Sequence, residues 1–389
     1  MISLNHTRSL AAAFVAVLLL AALHATAQEI NFIRTDLNHI SMNGDDWSGL
    51  RRAMRQARRS GTKVSVLHIG DSHIQPDIFP GRVRSRLQYA FGNGGRGLLV
   101  PLEMAGTNQP HDYALKSSTP HRQRSRLLMR SWSTAMGFTG ISVRFAAGHA
   151  SLALHTIGEG HAFNSLTLLH SRGAGFDTAV VAADTLVGRA TSPWSTTFAL
   201  PGLTDSLQLA GIPTGSDFWG VLVDNDSPGV VYSTIGNNGA TYAMYHKIDS
   251  FAAQTALLRP RLIIISLGTN EAFGSHAYMA QQMQRLISDL RQANPQAKFL
   301  LTTPMESQRR SRRGYAVNPA VATVRGIILE FGREHHIPVW DLYAVAGGEG
   351  ASRKWLELQL MNTGDHLHFF ESGYDLQGVL LADALLEQL

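Results

Sequence analysis

Residues 262–267 read LIIISL, apolar at five of six positions with no polar face. A strand with one wet side alternates; a strand without alternation is covered on both sides, as in a parallel sheet flanked by helices. Weaker copies of the signal stand at 64–69 (VSVLHI), 230–235, 298–303 and 337–342. Helical spacing occupies the intervals at 46–59, 77–91, 241–258, 276–293, 319–335 and 373–389. Asn294-Pro295 stops one of these helices and Pro319 opens another. Strand–helix alternation of this kind predicts an α/β fold with a mainly parallel sheet.

The middle of the chain breaks the rhythm. Between 102 and 226 the helical period fades and short runs recur: ISVRF, SLALHT, SLTLLH, TAVVAA, STTFAL, DSLQLA and FWGVLV. Gly158, Gly160, Gly202 and Gly215 are among the residues that separate them. Short, evenly spaced strands predict an antiparallel β-sandwich. The expected organisation is therefore 28–101 as the first α/β segment, 102–226 as an inserted sandwich, and 227–389 as the second α/β segment. Residues 1–27 read as a secretory signal peptide, with Arg8, an apolar run at 10–23 and Ala25-Thr26-Ala27 before the expected cleavage site.

The chain has 389 residues, a net charge of +5 and no cysteine. That excludes disulfides, thiolate metal sites and a lipid anchor attached through cysteine. No segment is expected to form a stable membrane anchor. A cluster of Arg309, Arg310, Arg312 and Arg313 reads as a solvated loop in preference to a site that attracts an anionic polymer, and export makes nucleic acid an unsuitable partner.

Four blocks carry the chemistry, each just past a predicted strand, where reactive groups gather in a parallel sheet. Gly70-Asp71-Ser72-His73 places a hydroxyl at the end of the first strand. Asp365-His366-Leu367-His368 supplies a base and an acid three residues apart, which a nucleophilic hydroxyl needs. Gly268-Thr269-Asn270-Glu271 offers an amide donor for an oxyanion. Asn237-Asn238-Gly239-Ala240-Thr241 offers a backbone that can approach a ligand closely.

In kind and order these blocks resemble those of SGNH/GDSL hydrolases, over roughly half to two-thirds of the chain beyond residue 27. The resemblance implies a flavodoxin-like three-layer α/β/α domain. It implies Ser72 as nucleophile, His368 as base and Asp365 as its orienter. The oxyanion hole would comprise the N–H groups of Ser72 and Gly239 and the side chain of Asn270. No metal and no cofactor is implied; His73 and His366 are expected as neutral wall residues. The histidine after the serine and the early β insert are similar to periplasmic peptidoglycan O-acetylesterases, whose insert resembles a carbohydrate-binding module. The expected partner is thus an O-acetylated glycan, with peptidoglycan bearing 6-O-acetyl N-acetylmuramic acid foremost, in the periplasm or outside the cell. Other readings of the same triad are an esterase for xylan or another polysaccharide, an acetyltransferase, and a lipase or general esterase.

Overall fold

The computed structural model describes residues 31–146, 149–172, 178–181, 184–213 and 215–389. The expected signal peptide lies outside the described residues. Among them, no helix is long and apolar enough to cross a membrane.

The central sheet has six strands: β1 (Ile40–Ser41), β2 (Lys63–Gly70), β3 (Gly229–Gly236), β4 (Pro260–Ser266), β5 (Lys298–Thr302) and β6 (Val339–Trp340). Their spatial order is β1-β6-β5-β4-β2-β3. All neighbours are parallel except β1, which pairs antiparallel with β6 at one edge. Without β1 the order is that of a doubly wound sheet, reversing direction beside β2, where such folds open a crevice.

Alternate residues of the central strands feed two separate cores. Leu67, Ile69, Ile263 and Ile265 pack into one cluster, while Val64, Val66, Leu262 and Ile264 pack into the other. Helices α1 (Ser48–Ser60), α2 (Ile78–Phe91) and α5 (Glu371–Gln388) contribute to the second, and α3 (Met279–Ala293) and α4 (Ala320–Glu334) to the first. The sheet is buried on both faces, as the absence of alternation in LIIISL requires. Helix α1 ends where Gly61 turns left-handed (φ 65°) and returns its N–H to Ala57. The helix expected at 241–258 is instead three short pieces, Tyr242–Tyr245, Phe251–Thr255 and Ala256–Leu258. Ser250, at φ 61°, breaks the run.

The short runs of the middle region form two antiparallel sheets. One has five strands, including Tyr113–Lys116, His149–Thr156 and Ser206–Pro213. The other has seven, with Phe163–His170, Ser195–Thr204 and Asp217–Asp224 at its centre; Gly97–Leu99 also pairs with Asp217–Asp224. Leu115, Leu152 and Leu154 of the first share a core with Phe145, Leu166 and Leu168 of the second.

A buried ionic network ties this region to the parallel sheet. Asp77, at the start of α2, accepts hydrogen bonds from Arg84 (Nη1, 2.8 Å) and Arg96 (Nη2, 2.7 Å). The same guanidinium groups reach Asp112, from Arg84 at 3.1 Å and Arg96 at 2.9 Å. Tyr113 lies under the Arg96 guanidinium, 5.1 Å from centroid to Cζ. Asp77 is the only carboxylate here that is almost fully buried, so it is the counter-charge the two arginines cannot do without. Removing one member of a buried ionic network leaves uncompensated charge in a low-dielectric interior. Asp77→Ala should lower the free energy of unfolding by about 3–5 kcal/mol, measured by urea denaturation; a change under about 1 kcal/mol would mean that water reaches and solvates the two arginines.

Candidate active site

The parallel register sets the carboxyl ends of three strands level. Gly70 of β2 stands beside Gly236 of β3 on one side and Ser266 of β4 on the other. Past these three ends come Ser72, Gly239 and Asn270. Gly70 has no room for a side chain, since a Cβ would lie 2.2 Å from Ile74 Cγ1 and 2.8 Å from the Ser266 carbonyl oxygen. The chain can therefore turn sharply after the strand, and the N–H groups of Ile74 and Gln75 return to the Asp71 carbonyl at 3.2 and 3.1 Å.

The fourth block reaches the same place from the other end of the chain. His368 Nε2 lies 2.8 Å from Ser72 Oγ, and His368 Nδ1 lies 2.7 Å from Asp365 Oδ2. With Nδ1–H donating to the carboxylate, Nε2 is left to accept the serine proton. The other oxygen, Asp365 Oδ1, accepts the N–H groups of Leu367 (2.9 Å) and His368 (3.0 Å). Partial burial of Asp365 opposes its ionisation. The hydrogen bonds from the His368 ring and from the two N–H groups outweigh it and hold the carboxyl below its ordinary range.

The loop that holds this pair bends at His366, a left-handed residue at φ 55°. Its imidazole is fixed by Gln308 Oε1 at 2.8 Å from Nδ1 and by the Tyr315 ring stacked at 3.8 Å. Gln308 also donates its N–H to the His366 carbonyl at 3.0 Å. Gln308 and Tyr315 belong to an exposed hairpin, Gln308–Ser311 paired with Gly314–Val317, that the sequence does not announce. The arginine cluster, expected as a loop, forms the tip and outer strand of that hairpin.

Asn270 opens the short helix Thr269–Phe273 after β4. Its Nδ2 donates to the Ala240 carbonyl at 2.9 Å and stands 3.4 Å from Asp71 Oδ2. Gly239 is left-handed at φ 75°. Among the hydrogen bonds of the described residues, the N–H groups of Ser72 and Gly239 have no intramolecular acceptor.

The middle region adds residues that the sequence does not identify. Gln75 accepts the Asn238 N–H at 2.9 Å and donates to Thr107 Oγ1 at 2.9 Å and to the Asn108 carbonyl at 3.0 Å. Leu128, more than half exposed, overhangs Gly239 so closely that a Cβ there would meet its Cδ1 at 2.8 Å. These contacts join positions far apart in sequence, and no local pattern encodes them.

Burial shapes the titration of the surroundings. Desolvation pushes Asp71 up to about 6, against the pull of the His73 N–H and the His368 charge. Desolvation also holds His73 down near 3, with the neighbouring His368 adding to it. The His73 ring stays neutral, hydrogen-bonded to Tyr374 Oη at 3.1 Å, with its centroid 5.1 Å from that of His368. Among the described residues, no group of three or more His, Asp or Glu is spaced to hold a metal ion.

The model of the GDSL-like Lipase/Acylhydrolase family matches residues 202–376, a span that includes Gly239, Asn270, Asp365 and His368 and leaves out Ser72. The fold is similar to a solved structure described as "Peptidoglycan O-acetylesterase in action, 5 min", at 23% identity and a TM-score of 0.76, over 90% of this chain and 98% of that one. Two further solved structures align less well. A lipase/acylhydrolase from Enterococcus faecalis is 22% identical over 41% of this chain and 78% of its own, with a TM-score of 0.34. A two-domain esterase active on acetylated mannans is 9% identical over 92% of this chain and 57% of its own, with a TM-score of 0.42. No curated protein sequence matches the chain. The second half of the chain thus matches the GDSL-like Lipase/Acylhydrolase family, and the fold as a whole is shared with the first of these solved structures.

Glu271, next to Asn270, gives a test of the electrostatics behind the site. Its Oε1 accepts the Tyr242 N–H at 2.8 Å, while Oε2 is buried without a partner. Desolvation raises its pKa from 4.5 to about 7. A carboxyl raised by folding contributes most while protonated. Its stabilisation is complete below about 4.5 and is lost as pH rises through about 7. Glu271→Gln keeps the acceptor for Tyr242 and removes the titration. Urea denaturation should find the variant gaining on the wild type by about 1–3 kcal/mol between pH 5 and pH 8. A difference independent of pH would show that Glu271 is ionised in the folded protein.

Proposed function

We propose that this chain is an exported serine esterase that removes O-acetyl groups from a cell-wall glycan, the 6-O-acetyl of N-acetylmuramic acid in peptidoglycan. The observation that carries the reading is the hydrogen-bonded series Asp365–His368–Ser72, at 2.7 and 2.8 Å. A serine hydroxyl bonded to an imidazole whose other nitrogen meets a carboxylate is an activated nucleophile. The likeness in fold to a peptidoglycan O-acetylesterase over nearly the whole of both chains supports the substrate class. The signal peptide at 1–27 accords with export to the periplasm or beyond. The segments 28–101 and 227–389 would form the hydrolase domain, and 102–226 a carbohydrate-binding-like β-sandwich that delivers the glycan. A cleft of about 750 Å³ between α2 and the middle region fits that role. It is lined by Tyr89, Asn93, His111, Glu159 and His161, all suited to sugar hydroxyls.

Ser72 Oγ attacks the acetyl carbonyl carbon as His368 Nε2 takes its proton. The resulting oxyanion accepts the free N–H groups of Ser72 and Gly239 and one amide hydrogen of Asn270, the one that now makes the long 3.4 Å contact with Asp71. His368 returns the proton to the sugar oxygen as that C–O bond breaks, leaving acetyl-Ser72 and a sugar hydroxyl. Water, deprotonated by His368, then attacks the acetyl-enzyme. Acetate leaves, and the proton goes back to Ser72. Asp365 stabilises the imidazolium formed in each half-reaction.

Acetate release from O-acetylated peptidoglycan and from acetylated xylan, measured side by side, tests the reading. The wild type should act mainly on peptidoglycan. Ser72→Ala should lose about four orders of magnitude or more in rate while unfolding at the same urea concentration. Full activity in Ser72→Ala would sink the mechanism, and release mainly from xylan would sink the substrate.

A further inference from the structure

The arginine hairpin bridges the two loops that carry the site. In its register Gln308 pairs with Val317 and Arg310 with Tyr315, so these four side chains share one face. That face meets the catalytic loop, because Gln308 and Tyr315 both hold His366. The opposite face meets the loop of Asn270: Arg309 donates to the Phe273 carbonyl at 2.7 Å and lies over the Phe273 ring. Arg309 is thus committed to anchoring. Arg312 and Arg313 form the two-residue tip between Ser311 and Gly314.

Arg310, Arg312 and Arg313 are exposed. Among the described residues, none of the three is in an ion pair. The hairpin itself contains no carboxylate. Three such guanidinium groups, carried by a hairpin that is anchored to the loop of His368 and to the loop of Asn270, create a local positive field with planar, two-pronged donors. A neutral ester gains nothing from such a field, whereas a carboxylate-bearing polymer does.

We propose that this hairpin is a substrate-selecting arm that engages carboxylates of the acetylated glycan and makes the enzyme favour acidic over neutral acetylated polymers. The inference rests on the glycan O-acetylesterase reading above and specifies how that substrate is chosen. In peptidoglycan the carboxylates come from the lactyl groups and the stem peptides. Arg310 is one step along the face that holds His366. Arg312 and Arg313 reach farther out along the polymer.

The test compares kcat/KM of the full-length wild type and the triple variant Arg310→Gln, Arg312→Gln, Arg313→Gln. The substrates are O-acetylated peptidoglycan and the same material with its carboxyls amidated, each referred to p-nitrophenyl acetate. For the wild type, the ratio of peptidoglycan to nitrophenyl ester activity should fall roughly tenfold on amidation, and by a similar factor in the variant on untreated material. The two losses should not add, because both delete the same contacts. Raised sodium chloride should suppress the wild-type ratio and leave the variant's unchanged. Equal ratios in wild type and variant, or a variant loss that persists on amidated substrate, would overturn the arm while leaving the esterase reading intact. Absence of acetate release from either peptidoglycan by a wild type that still cleaves the nitrophenyl ester would overturn the substrate reading and the arm with it. If the triple variant unfolds earlier in urea, Arg312→Glu at the tip replaces it, with a larger loss of the ratio expected.

Discussion

A methyl group on Gly236 would lie 2.2 Å from the backbone nitrogen of Gln75, and one on Gly70 would strike Ile74 at the same distance. These two residues stand side by side at the ends of neighbouring parallel strands. Their close packing lets the turn after β2 nest against the turn after β3, so that Gln75 can clamp Asn238 and the Asn237 N–H can reach the Gly70 carbonyl. The hydroxyl of Ser72 and the N–H of Gly239 take their positions from this contact between backbones. A side chain at either glycine would push the two turns apart, and a shift of an ångström is enough to spoil a preorganised site.

The parallel sheet is legible in the sequence because its strands are buried on both faces, and burial of that kind leaves runs such as LIIISL with flanking turn residues. The four blocks are legible for a related reason. Three of them sit directly after such a run, so finding the strand finds the loop; the fourth, Asp365–His368, lies in the loop before the last helix and is legible from its residue types and spacing alone. What escapes is whatever depends on distant partners. Leu128 over Gly239, and Gln75 bonded to Thr107 and Asn108, join the parallel domain to the middle region through contacts with no periodicity. The hairpin at Gln308–Val317 escapes because its residues are polar and exposed, and four arginines in five positions look like solvent-facing loop. Its order comes from anchors at its base, Gln308 and Tyr315 on His366 and Arg309 on Phe273. The interruption at Ser250 is equally silent, since serine in a left-handed turn has no sequence pattern of its own.

Two groups of arginines in the molecule stand in opposite settings. Where arginines are sequestered, as at Arg84 and Arg96, each is matched to Asp77 and Asp112, and the network joins the two regions of the fold. Where arginines stand in water, on the hairpin, no carboxylate meets them. The first arrangement answers the high penalty of an unpaired buried ion. The second has no such penalty to answer, so its charges are left for whatever comes to the site. Near the serine, burial holds the His73 ring neutral, near 3, and raises Asp71 to about 6. Asp365 is the carboxylate that is hydrogen-bonded to the imidazole of His368.

That neighbour lies three residues away in the same loop, fastened to it by two backbone N–H groups. The base and its carboxylate thus travel as one rigid piece, pinned at His366, while the serine is fixed to the sheet. A displacement of the loop as a whole would keep the 2.7 Å contact and change the 2.8 Å one. The series has a single soft joint, and it lies where the proton must cross. Cooling, viscosity or a bound polymer pressing on the hairpin would then be felt as a change in how often that joint is closed.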